Sequence, residues 1–268
     1  MMSSDNSAGP APLPSLPIIN LEPPPRSDRQ KYGSFFLAAV GGLVLVVSLV
    51  GWFGYRAWSL RDVWARVYVL HDRSRPDDDR IRAAFALARD PRFEQRQRWE
   101  TSLRLGLPDL ARCLLAEGVG PELVADDPQA FVSAVARSPE WPGWLRLALT
   151  RPLALASTEG HTLSRERLRD LCWLEDPVIR LWALYTLAVQ PRPDPQTAVE
   201  IEKVAHDESA PEHELAGMLL EATRGRESER PTILARAAEW NRLHHPDTRR
   251  VWTGWRIVDG RLERTSAG

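Results

Sequence analysis

Hydrophobic patterning divides the chain at once. Residues 32–55, reading YGSFFLAAVGGLVLVVSLVGWFGY, carry no charge over 24 positions. As a helix this stretch is about 36 Å long, against a hydrocarbon core of about 30 Å, so it can cross a bilayer with some tilt. Tyr32, Phe35 and Phe36 stand at one end and Trp52, Phe53, Tyr55 and Trp58 at the other. Such aromatic rings suit the two headgroup interfaces. A cleaved signal would have a shorter apolar run ending in small residues. A core helix would show an amphipathic stripe. The segment has neither, so it is expected to be a retained, single-pass transmembrane helix. Its orientation stays open: Arg26, Arg29 and Lys31 flank one end and Arg56, Arg61, Arg66, Arg73 and Arg75 the other, and long domains translocate largely regardless of charge.

Within the span Ser34, Ala38 and Gly42 recur every four residues. This small-xxx-small face would let a second helix approach closely, which makes homodimerisation through the span an expectation. Residues 1–31 are rich in Pro and Ser and include the run Pro23-Pro24-Pro25; with few large apolar groups they are expected to be disordered. The stretch PAPLPSLP could adopt polyproline II and dock on an aromatic groove.

Beyond the span the period changes to that of amphipathic helices. Residues 56–76 form a juxtamembrane helix or linker, with Val63, Val67 and Leu70 at helical spacing. Asp, Ser and Pro then punctuate the pattern as start and stop signals, predicting helices near 77–89, 94–105, 107–117, 127–137, 142–150, 164–173, 176–189, 195–206, 211–223 and 229–244. Short connections favour antiparallel neighbours. The last stretch, 251–268, reads as strands 251–258 and 261–264 about an Asp259-Gly260 turn, or else as an extended tail. An isolated hairpin is barely stable in water, so Trp252 and Trp255 should pack on the last helices. The fold class is therefore mainly α: one transmembrane helix, a helical domain over 77–250 and a small C-terminal hairpin.

The residues from Asp176-Pro177-Val178-Ile179-Arg180 to Leu187 resemble the second helix of a HEAT repeat. Aspartate caps such a helix and proline fits its first turn. Asp79-Arg80-Ile81-Arg82-Ala83-Ala84 follows the same logic without the proline. The resemblance implies a degenerate HEAT- or TPR-like solenoid, with an irregular bundle as the alternative. It also implies that Asp79, Arg82, Asp176 and Arg180 occupy the positions where that family pairs Asp with Arg along the stack. The two matches lie almost a hundred residues apart, well over a HEAT period of roughly forty to forty-seven. Trp141-Pro142-Gly143-Trp144 and Arg151-Pro152 interrupt the pattern between them.

Charge and chemistry change this picture little. Net charge is −1 with a pI near 6.6, so a nucleic-acid partner is not expected. Cys113 and Cys172 belong to no metal-spaced pair and read as small apolar residues. His213-Glu214 begins like HExxH, but Gly217 stands where the second ligand would be. His245-Pro246-Asp247 after a helix is similar to the loop of J-domain co-chaperones, but the earlier Tyr-x-x-Leu-Gly helix is missing and a strand-like segment follows. No phosphate-binding glycine loop or GxSxG elbow occurs, and no catalytic residue, metal or cofactor is expected. Of the eleven tryptophans, Trp99, Trp173, Trp182 and Trp240 should anchor the core, while Trp58 and Trp64 could rest at a membrane surface. The expected function is a membrane-anchored, non-catalytic protein-binding or scaffold protein. The rivals are an accessory subunit assembled through the span and an enzyme built from scattered residues.

Overall fold

The computed structural model describes residues 28–137 and 141–265, with side chains described from Phe36 onward. The Pro-rich segment before Asp28 and the side chain of Ser34 lie outside the described residues. The chain divides into two units, up to Trp58 and from Ser59 onward.

The described part of the first unit is α1 (Asp28–Ser59) up to its penultimate residue. It starts four residues before the uncharged stretch, so Asp28 to Lys31 are helical rather than part of a tail. Phe36–Ser59 is long and apolar enough to cross a membrane, and none of that stretch is buried within the chain.

The second unit is built from helices α2 (Arg61–His71), α3 (Asp77–Arg89), α4 (Gln95–Ser102), α5 (Asp109–Glu117), α6 (Pro121–Asp126), α7 (Pro128–Arg137) and α8 (Gly143–Thr158). It continues with α9 (Arg165–Cys172), α10 (Pro177–Ala188), α11 (Pro195–His206), α12 (His213–Arg224), α13 (Arg230–His244) and α14 (Pro246–Val251). Strands β1 (Trp255–Val258) and β2 (Arg261–Arg264) close it as an antiparallel hairpin. Asp259 and Gly260 both have positive φ, 48° and 74°, as the tight turn of a twisted hairpin requires.

The helices form two layers. α3, α5, α8, α10 and α12 pack in that order as one row. Against it lie α2 on α3, α4 on α5, α6 and α7 on α8, α9 on α10, and α11 on α12. The residues capping the N-termini of the row are Pro76, Pro108, Pro142, Asp176 and Glu212, at intervals of 32, 34, 34 and 36 residues. Four positions after the first four caps stand Arg80, Arg112, Arg146 and Arg180. Three of these arginines reach back to the end of the partner helix. Arg80 Nε donates to Leu70 O (3.1 Å), Arg112 Nε to Ser102 O (2.9 Å) and an Arg180 Nη to Leu174 O (3.2 Å). Carbonyls at a helix C-terminus lack intrahelical donors, so each arginine clips its helix pair together.

Apolar residues of both layers fill the space between, ending in Trp144, Trp182 and Tyr185, all under 3% exposed. Two expectations fail here. α8 runs through Pro152 instead of stopping near 150. A proline inside a helix costs about 3 kcal/mol, but Leu145, Leu149 and Leu153 make one continuous buried edge across it, and that burial decides the conformation. Residues 246–251 form α14, so the strand starts at Trp255 rather than 251. Trp252 and Trp255 pack in a cluster with Val63, Leu70, Ile81 and Leu110 from the opposite end of the row, and the last helices add Val251 to that cluster and lay Arg242 over Trp252.

Candidate functional site

The C-terminal segment decides which surfaces of the row are free. After α13 packs on α12, with Trp240 Nε1 donating to Glu214 (3.1 Å), the chain turns back along the row. His245 Nε2 meets Asp176 Oδ2 at 2.9 Å, at the cap of α10. Asp247 lies against the start of α8, where a Cβ on Gly143 would stand 2.7 Å from its carboxylate oxygen, so a larger residue there would push that exposed side chain aside. Arg242 Nη2 pairs with Glu117 at the end of α5 (2.8 Å) and stacks on Trp252. Arg264 pairs with Asp78 at 3.1 Å, and Arg89 donates to Gly260 O, both tying the hairpin to α3. The chain's own residues thus cover this side of the row.

Asp176, His245 and Thr248 have the order of an acid, base and hydroxyl relay. Their geometry serves a different end. The Thr248 N–H donates to His245 Nδ1 (3.3 Å), so the imidazole caps α14 and Nε2 carries the proton toward Asp176. Asp176 accepts from the N–H of Val178 and Ile179 and caps α10. Burial drives its pKa up, but these bonds and the His245 ring outweigh that and hold it below the usual carboxylate value. Thr248 is buried, and the cavity beside it is about 20 Å³, room for about one water. His245 is likewise buried, while Pro246 and Asp247 are exposed and open helix α14 rather than a loop.

The opposite situation holds between α9 and α11. There a furrow of about 620 Å³, floored by Leu184 and Leu187 of α10, is edged by Arg169, Trp173, Arg180 and Glu200. Trp173 is 85% exposed, not a core anchor. It follows the last residue of α9, where the chain turns toward Asp176, so its ring leaves the helical stripe that periodicity tracks. Arg169 is paired with Asp194 (2.9 Å), which that bond holds below its ordinary pKa. Arg180, exposed, has no carboxylate partner among the described residues.

The remaining sequence-derived positions separate. Among the described residues no ion pair joins Asp79 or Asp176 to Arg82 or Arg180. Arg82 instead lies over the Trp255 ring. The residue equivalent to Arg180 is Arg80, two positions earlier, because the caps Pro76 and Asp176 correspond. Ala38 and Gly42 are exposed on α1, and space around Gly42 is open. Cys113 and Cys172 are free thiols; burial pushes Cys113 well up and Cys172 to about 12. Among the described residues no cluster of three His, Cys, Asp or Glu side chains could hold a metal. The chain matches no protein-family model, no curated protein and no solved structure.

Proposed function

We propose that this chain is a membrane-anchored, non-catalytic binding protein. Helix α1 holds it in a bilayer, and the furrow at Trp173 receives a segment of another protein. The observation that carries this reading is the 85% exposure of Trp173 at the rim of a groove floored by leucines. Large aromatic side chains beside an arginine are the residue types that dominate binding energy at protein interfaces. A ligand segment would lay an apolar side chain against Trp173 and bring a carboxylate to Arg180, the cation in the furrow without an acidic partner. This reading is supported by α14 and the hairpin occupying much of the other side of the row.

Placing a photo-reactive benzoylphenylalanine at position 173 of the full chain in its native cells tests this. A discrete adduct is expected, lost when Arg180→Glu is added. An adduct no stronger than from the exposed control Val199 would refute it. Assembly through the span is the second reading, favoured by the uncovered apolar surface of α1; the same probe at Leu45 would then give the dominant adduct.

A further inference from the structure

On the side of the row that the C-terminal segment covers, a cleft stays open beside α3. It measures about 390 Å³ and lies between α3, α5, α8 and β1. Three arginines line it, Arg89, Arg151 and Arg242, with one carboxylate, Glu117. Two of the arginines are engaged: Arg89 donates to Gly260 O and rests on Phe85, and Arg242, although its Nε is also buried without a partner, is paired with Glu117 and Glu239. Arg151 is not. It has no ion pair among the described residues, and its Nε is buried without a hydrogen-bond partner. Glu117 cannot fully serve it, since one carboxylate oxygen is already bonded to Arg242.

An arginine stays protonated even when buried. Burial lowers the proton affinity of Arg151, Glu117 counters this, and Arg242 adds to it. A mostly buried cation without an ion pair is costly, and the protein keeps this one at the wall of a space large enough for a ligand. The lining cations exceed the lining carboxylate by two, which matches a doubly charged oxyanion. A guanidinium fork also fits two oxygens of one phosphate or carboxylate side by side.

We propose that this cleft binds a phosphate-bearing anion, with Arg151 as its direct ligand and Arg89 and Arg242 completing the positive wall. The site is independent of the Trp173 furrow, so either can fail without the other. The anion could be free phosphate or the headgroup of a phosphomonoester lipid.

The test follows unfolding of the detergent-solubilised full chain by tryptophan fluorescence while inorganic phosphate is titrated against chloride at equal ionic strength. A soluble short-chain phosphatidate in a parallel titration distinguishes the lipid source by its tighter binding. At ten times the dissociation constant, phosphate should raise Tm by about 3–6 °C. Arg151→Met should abolish that rise while leaving Tm in phosphate-free buffer at or above the parent's, because an uncompensated charge has been removed. Circular dichroism verifies that the variant is folded. No rise beyond chloride, an equal rise in Arg151→Met, or a fall of several degrees for Arg151→Met without phosphate would each overturn the proposal. The last would mean that the guanidinium is already paired in the free protein.

Discussion

Two helices in this chain are strongly apolar, and they end up in opposite environments. α10 holds one charge in twelve residues, Arg180, and nearly every other side chain is buried by α8, α9, α11 and α12. α1 holds no charge over 24 consecutive residues, and over Phe36–Ser59 none of it is buried within the chain. The difference shows that apolarity alone does not decide where a helix goes; what matters is whether the chain supplies a cover. Twelve residues of α10 are only about 18 Å of helix, too short to span hydrocarbon but matched to the depth of the row. The apolar stretch of α1 has the length of a bilayer and no cover in the chain.

The sharpest way to break this contrast is to shorten side chains in each helix. Trp182→Ala should cost about 3–5 kcal/mol of domain stability in denaturant unfolding, because Trp182 is 1% exposed among α10, α11 and α12 neighbours. Leu45→Ala, on the exposed surface of α1, should leave the unfolding of the helical domain where it was. Equal effects would mean that α1 is part of the same core.

A smaller change tests whether the C-terminal segment is a true cover for its side of the row. Arg242→Met leaves Glu117 without its partner, both being under one-fifth exposed. A loss of about 2–3 kcal/mol is expected, discounted from the value for a fully buried pair. Adding Glu117→Gln should restore part of it. A neutral Arg242→Met would show that the segment lies loosely on the row.

The carboxylate that ends α3 gives a pH signature. Asp90 is bonded to the Arg92 side chain and backbone, and although burial alone would raise its pKa, it is held down at about 2. Its native value lies below its unfolded value near 4, so its contribution is complete above pH 4 and lost as pH falls toward 2. Discounted for solvent screening, that contribution is on the order of 1 kcal/mol. In urea titrations at pH 6 and pH 2.5, Asp90→Asn should flatten this part of the acid loss. An unchanged slope would place the acid sensitivity elsewhere.

Trp173→Ala sits at the small end. An exposed ring that touches no core should change stability by less than about 0.5 kcal/mol while removing binding in the furrow. A large loss of stability would make Trp173 a structural residue and leave α1 as the chain's main uncovered apolar surface.

Much of this architecture is legible in the residues. The uncharged stretch, the helices opened by Asp77, Asp176-Pro177 and Asp194-Pro195, and the Asp-Gly turn follow from charge, capping and turn chemistry, and the structure carries each of them. The repeat was harder to see because its marker is not one residue type. Proline, aspartate and glutamate occupy equivalent caps, and Asp77 to Asp79 offer three competing starts in a row. Aligning on Asp79 rather than Pro76 hid the fact that a hundred residues equal three intervals. Those intervals lie closer to the 34 residues of TPR arrays than to HEAT periods. Pro152 and Trp173 depart from the sequence pattern for one reason: local propensity cannot register burial supplied, or withheld, by residues distant in sequence. The cleft at Arg151 has no sequence signal, since its arginines come from three helices far apart in the chain.

The central claim is that α1 is covered by lipid. Cells expressing the chain, fractionated and washed in alkaline carbonate, test it most directly when the retained species is weighed by mass spectrometry. Uncleaved protein should stay in the membrane pellet until detergent is added, and move to the supernatant when Leu45→Arg and Val46→Arg are introduced together. Intact parent protein in the carbonate supernatant, or a pelleted form trimmed of α1, would contradict it.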